Sequence, residues 1–477
     1  MNDRTFLVLA LTGLIAGLLL VGCVPPETPP VDIVTPTPTP QQTPEPTPEP
    51  TPQPEPLAPP HLRLLPEDLA GTRIRFWHPW SGSMAEMIAS SAVEFNRSNT
   101  WGIEVEVFAP GGSGALFDAV SERLASADTP HLVAAAMDQI VTWQRLEGVV
   151  INLNDYVADA VWGLNPQERA DFPRSFWDQG EVDGFRYGIP ALQSPQVLFY
   201  NAAWGRALGF AHPPESVTEF EAQVCAAAAA NRADADRAND GTGGWIVNTD
   251  PLAQLAWLYS FGFDPLVEGE TIRFNRAAAR ELFSFFRHLY DRNCIWDARL
   301  PEPYEYFATR RALLYSGTLY DLATQTSADR RFGNTDEWII LPYPPSGDGR
   351  PVVLTSGLAY AVFAADAREQ MAAWLFLRWM SLSRNQAMLA QISGGWPASV
   401  QAISELEAYR AENPAWDNSL LWIPLAQPAP VLPEWRLARS VLSDAAWQLF
   451  QANIKPEDIP DLLAVLDATV ADVLESY

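Results

Sequence analysis

The sequence predicts an α/β protein divided into two compact units, and three observations lead to that expectation. Strand-like and helix-like segments alternate from Arg73 onward, the pattern of a parallel sheet with helical crossovers. At 477 residues the chain exceeds what one ordinary core serves, and units of roughly 100–200 residues are usual. Hydrophobic residues make up 48% and aromatics 11%, enough for a sizeable core in each unit.

Residues 1–23 stand apart from this pattern. Arg4 supplies a positive start, weakened by Asp3, and Phe6 to Leu20 is an apolar run shorter than the roughly 20 residues a bilayer span requires. It reads as a signal peptide. The run ends in Leu20-Val21-Gly22-Cys23, which resembles the bacterial lipobox and makes Cys23 the expected lipidated N-terminus, anchored to the outer face of the cell membrane. The alternative is an uncleaved anchor with an incidental cysteine. Residues 24–61 are dominated by Pro, Thr, Glu and Gln; with little to bury, this stretch is expected to stay disordered and extended. At about 3.1 Å per residue such a tether reaches on the order of 100 Å.

The body begins near Leu62. Arg73 to Trp77 reads as a strand, and Met84, Met87, Ile88, Ala92 and Phe95 recur at helical spacing. Ile103, Val105 and Val107 alternate with glutamates as a half-buried strand, Leu116, Val120 and Leu124 mark a helix, and His131 to Ala136 a further strand. An Ala-rich helix over Phe220–Ala230 is followed by a polar loop at Asn239–Gly244 and aromatic helices near Pro251–Phe261 and Ala277–Tyr290. Strands are expected again at Trp338–Leu341 and Val352–Phe363. Helices then follow at Arg368–Met380, Pro433–Ala452 and Pro456–Ser476, the last two opening on prolines suited to a first turn.

Charge narrows the partners. With 58 acidic against 31 basic residues the chain carries a net charge of −27, a field that repels phosphate backbones and anionic lipid, so nucleic acid is excluded and any membrane contact is expected through the anchor alone. Cys225 and Cys294 remain after Cys23, and in an oxidising compartment they are expected to form a disulfide; two buried thiols are the alternative. Five scattered His and these two Cys form no metal-ligand spacing, and no cofactor is expected.

A family resemblance appears at Phe76-Trp77-His78-Pro79-Trp80-Ser81-Gly82, followed a helix later by Glu94-Phe95-Asn96. Further landmarks keep their order: Met137-Asp138-Gln139, Tyr187-Gly188-Ile189-Pro190 leading to Leu198-Phe199-Tyr200-Asn201, Pro213-Pro214 with Thr218 and Phe220, and Ser316-Gly317. Leu341-Pro342 through Gly357, Ala372-Ala373-Trp374, and Gly394-Gly395-Trp396-Pro397 complete them. Together these resemble the extracellular solute-binding proteins, family 1, of carbohydrate importers, the group that includes the maltose-binding and glycerol-3-phosphate-binding proteins. Two departures stand out: Val217 occupies a position where the family often has Trp, and Trp396-Pro397-Ala398-Ser399 lacks the Arg of the family's corresponding element.

The resemblance implies a two-lobed, periplasmic-binding-protein-like fold of type II, with a ligand cleft between lobes joined by a hinge the chain crosses several times. Lobe 1 is expected over 62–195 and 355–393, lobe 2 over 196–354 and 394–477. It also implies a monomer that hands a small ligand, a sugar, to the permease subunits of an ABC importer, and no catalysis. Sugars present hydroxyls and flat C–H faces, so a site needs amides or carboxylates together with aromatic rings. Among 18 Trp, the candidates for stacking are Trp77, Trp80, Trp245, Trp396 and Trp435; Asp138, Gln193, Ser194 and Ser316 are the candidates for hydrogen bonding. Trp374, Trp379 and Trp447 lie in amphipathic helices and read as core. Asp138 has a second reading as a helix cap.

Three other readings stay open. A secreted glycosidase would need only two of the carboxylates, although neither a Gly-x-Ser-x-Gly elbow nor an HExxH motif is present, and Gly111-Gly112-Ser113-Gly114 lacks a phosphate loop's lysine. A surface receptor for a sensor would share the fold. A glycerol-3-phosphate site would want arginine in the cleft, for which Arg436 and Arg439 are placed on the relevant helix.

Overall fold

The computed structural model describes residues 59–475 apart from 125, 127, 265–271, 300 and 301. Cys23, the signal peptide and the linker up to residue 58 lie outside the described residues. The strands in chain order are β1 (Arg73–Trp77), β2 (Glu104–Phe108), β3 (Leu132–Ala135), β4 (Glu181–Val182), β5 (Phe185–Arg186), β6 (Ile189–Tyr200) and β7 (Gly243–Ile246). They continue with β8 (Ile295–Trp296), β9 (Ala312–Thr318), β10 (Ile339–Leu341), β11 (Val353–Val362), β12 (Trp396–Pro397) and β13 (Ala426–Pro428).

One sheet runs through both lobes in the order β2-β1-β3-β11-β6-β9-β7-β8. At each end it is parallel, β1 pairing with β2 and β3, and β7 with β8 and β9. The two long central strands are antiparallel, so the sheet is mixed where alternation alone predicts a parallel one. β6 pairs with β11 from Ile189 to Pro195 and with β9 from Gln196 to Tyr200. Pro195 therefore sits at the change of partner, where a missing N–H is least costly.

Each lobe has its own core. In the first, Met84, Met87, Ile88, Ala92 and Phe95 from the helix Gly82–Ser98 are buried with Phe76, Tyr360, Trp374 and Phe376, the helical spacing having put them on one face. The opposite face of the sheet buries Trp77, Phe117, Val133 and Trp143. In the second, the helix Ala277–Asp291 presents Leu282, Phe283, Phe286 and Leu289 to Trp245, Trp257 and Phe220. Each such side chain withdrawn from water contributes about 1.5–3 kcal/mol. Cys225, on the helix Val217–Ala233, is bonded to Cys294, immediately before β8, with the Cα atoms 4.3 Å apart. A third cluster around Phe199, Tyr315, Trp396 and Trp416 packs beside the central strands.

Candidate functional site

The parallel strands β1 and β3 end on the same side of the sheet, where open α/β sheets collect ligand groups. After β1 the chain turns through Pro79, Trp80 and Ser81 into the helix that begins at Gly82, whose φ of 55° suits glycine. After β3 it enters the helix Met137–Glu147, placing Asp138 in the first turn. The glycine-rich segment closes the wall between them. Gly112 donates its backbone N–H to the carbonyl of Pro79 at 2.9 Å, and the Gln139 amide donates to the carbonyl of Ser113 at 2.9 Å.

These ends form one wall of a cavity of about 580 Å³ that spans the sheet. Gln193 on β6 and Thr355 to Ala359 on β11 make its floor. The helix Pro433–Leu449 adds Arg439 and Trp435, the latter only 1% exposed, to the lining, together with Tyr320 and Phe176. The volume lies within the 300–1,000 Å³ usual for small-molecule sites, and the mixture of rings and polar groups suits an amphipathic ligand.

Of the sequence candidates, Trp80, Asp138, Gln193 and Trp435 line this cavity together. Five do not. Trp77 lies on the face of β1 opposite Phe76, where its ring meets Phe108 at 4.8 Å and the Arg123 guanidinium at 5.1 Å. Strand alternation sends it into the core. Trp245 is wholly buried beside Trp257 and Phe286, its indole N–H donating to Ser316 Oγ at 3.3 Å; both candidates therefore belong to the second lobe's interior. Trp396 stacks on Phe176 at 6.0 Å and donates to Ser419 Oγ at 2.8 Å, again buried. Ser194 follows Gln193 on β6 and so points to the other face, fully buried. The sequence reading passed over Phe176, Gln179 and Tyr320, which lie in segments with no periodic signal, and weighed Arg439 only as a phosphate ligand.

Electrostatics centre on Asp138. Its side chain is 6% exposed, and its Oδ2 lies 3.3 Å from Arg439 Nη1 without receiving a hydrogen bond. Burial pushes its carboxyl above the usual carboxylate range, opposed chiefly by Arg439 and to a smaller extent by the Gln139 backbone N–H and Arg436. Gln193 Oε1 is likewise buried without a partner, leaving two acceptors at the cavity for a ligand's donors. Behind Trp80, His78 is buried against its ring at 5.3 Å, and burial lowers its pKa to about 4, so the imidazole is neutral near pH 7. Among the described residues no group of His, Cys, Asp and Glu is arranged to hold a metal, and no helix is long and apolar enough to cross a membrane.

Solved structures share this architecture. The cyclic α-maltosyl-1,6-maltose binding protein of Arthrobacter globiformis superposes with a TM-score of 0.69 at 16% identity, over 84% of this chain and 98% of the other. The sugar-binding protein MalE of Xanthomonas citri gives 0.68 at 18% identity, over 85% and 100%. UgpB of Mycobacterium tuberculosis, solved with glycerophosphocholine, gives 0.68 at 19%, over 85% and 99%. At these identities the likeness establishes the fold, two lobes of periplasmic-binding-protein type. A sequence comparison with curated proteins finds no match. Residues 91–416 match the family model of the bacterial extracellular solute-binding proteins, and the chain belongs to that family of extracytoplasmic binding proteins.

Proposed function

We propose that this protein is the lipid-anchored substrate-binding component of an ABC importer and captures a carbohydrate in the cleft. The observation that carries the reading is the cavity of about 580 Å³ lined by Trp80 and the buried Trp435, with unpartnered acceptors at Asp138 and Gln193. Rings offer the flat faces a sugar's C–H groups prefer, and acceptors with no protein donor await hydroxyls. Among the structural relatives, two are described as binding a maltosyl sugar or as sugar-binding. Cys23 carries the lipid, and residues 24–61 serve as the tether between it and the lobes.

Calorimetric titration and thermal shift on the purified protein, across neutral mono- and oligosaccharides, glycerol 3-phosphate and glycerophosphocholine, test the ligand. A carbohydrate raises the melting midpoint, because a ligand held by the native state alone stabilises by RT ln(1 + [L]/Kd). If no carbohydrate shifts it and a phosphodiester does, the sugar assignment fails. Labelling of cells with tritiated palmitate tests the anchor, which is refuted if label persists after Cys23→Ala.

A further inference from the structure

The helix Pro433–Leu449 packs Trp435, Ala438 and Leu442 into the second lobe, yet its first two turns send three side chains to the first. Glu434 pairs with Arg145 at 3.1 Å, Arg436 lies over the Phe117 ring at 4.2 Å, and Arg439 reaches Asp138 at 3.3 Å. Arg145 and Glu434 are substantially exposed, where solvent screens a pair to little net worth. The pair of Arg439 and Asp138 is different in kind: its carboxylate is buried, and its two members belong to different lobes. Among the described residues they are also the only charged side chains on the cavity wall, so each charge is compensated locally only while the two face each other.

We propose that the Asp138–Arg439 pair is an electroneutrality filter, in which lobe closure cancels the charges of the cleft and admits only uncharged ligands. The inference rests on the cleft being the ligand site and narrows its occupant to a neutral polyhydroxy compound. An anionic ligand would draw Arg439 away and leave the Asp138 carboxylate desolvated without a counter-charge, a state more costly than the lost pair itself. A cation bound to Asp138 would strand the guanidinium in the same way. A neutral ligand leaves the pair whole and still finds a lone pair on Asp138 Oδ2. Arg439 is thus the specificity-determining residue, acting by what it does to Asp138.

The test uses two charged probes, the parent protein, two single variants and the double variant. Glycerol 3-phosphate and choline are titrated calorimetrically into the parent protein, Asp138→Asn and Arg439→Gln, with near-ultraviolet circular dichroism confirming the fold. Asp138→Asn keeps the shape of the side chain and leaves Arg439 without its carboxylate. It is expected to bind glycerol 3-phosphate at least tenfold tighter than the parent, about 1.4 kcal/mol. Arg439→Gln leaves the carboxylate without its counter-charge in a cavity that Trp80 also lines and is expected to gain choline by a similar factor, as cations favour carboxylates and aromatic faces. The double substitution binds neither. Two results overturn the filter: glycerol 3-phosphate binding by the parent as tight as by Asp138→Asn, or folded single variants whose preference for charged probes does not move. Should one variant fail to fold, the other decides alone. Failure of the carbohydrate reading shows differently, as a parent protein unmoved by every neutral sugar.

Discussion

His78 offers a perturbation whose size follows from the structure. Its ring is fully buried between Phe76 and Trp80, with centroids at 5.5 and 5.3 Å, and neither nitrogen has a hydrogen-bond partner. Desolvation penalises the imidazolium and lowers the pKa from 6.5 to about 4. The native state therefore refuses a proton that the unfolded chain accepts. Stability from this group is fully present above about pH 6.5 and is lost as pH falls through about pH 4. A gap of about 2.5 units at ~1.4 kcal/mol each sets the loss at roughly 3 kcal/mol, a large part of a typical folding free energy.

His78→Leu removes the titration while keeping an apolar side chain in the pocket. Urea unfolding of both proteins at intervals between about pH 4 and pH 7 gives the difference in free energy at each pH, in which the other titrating groups cancel. Asp138 is among those that cancel. Its raised pKa acts with the opposite sign, contributing below the ordinary carboxylate value and fading as pH rises through the elevated one. The stability of the parent relative to the variant is expected to fall by about 3 kcal/mol toward acid, as the parent alone weakens. Parallel curves would refute the assignment and imply that His78 gains solvent or a partner in solution.

Other substitutions separate cleft from core. Trp80→Ala and Trp435→Ala should each weaken ligand binding by about 2 kcal/mol, near thirtyfold in Kd by calorimetry, with Trp80→Phe recovering part of the loss. Trp245→Phe should leave Kd unchanged and lower stability by about 1–3 kcal/mol in urea unfolding, through the cavity it opens and the hydrogen bond it removes from Ser316. At Gly357 an added Cβ would come within 2.3 Å of the Leu192 carbonyl oxygen and 2.4 Å of Gln193 Cδ. Gly357→Ala should therefore cost about 1–3 kcal/mol in unfolding and reduce affinity by displacing Gln193. Cys225→Ser opens a loop spanning 69 positions and should cost up to about 4 kcal/mol, seen as a lower melting midpoint that reduction of the parent reproduces.

The legible parts of this molecule were those in which one local period decides burial. Met84 to Phe95 lie on the buried face that their spacing indicates, and Arg73 to Trp77 forms β1. β6 escaped the sequence reading because Pro190 and Pro195 argue against a strand, and its burial on both faces erases alternation. Only the tertiary arrangement explains why those prolines are tolerated: Pro190 stands beside the irregularity in the pairing with β11, and Pro195 at the switch to β9. β9, equally buried along most of its length, was missed for a related reason.

Tryptophan abundance proved a poor guide to the cleft, for a reason particular to this sheet. A Trp within a strand has two possible faces, and at both Trp77 and Trp245 the face that the register selects is interior. Trp80 and Trp435 lie outside strands, one in the turn leaving β1 and one in a first helical turn; both border the cavity, Trp435 as a buried side chain of the second lobe's core. Position relative to an element's end therefore discriminates better than residue type. By the same logic Arg439 gains its meaning one turn after Trp435: the helical repeat carries it to the same wall, and only the facing lobe, through Asp138, supplies the charge that defines its role.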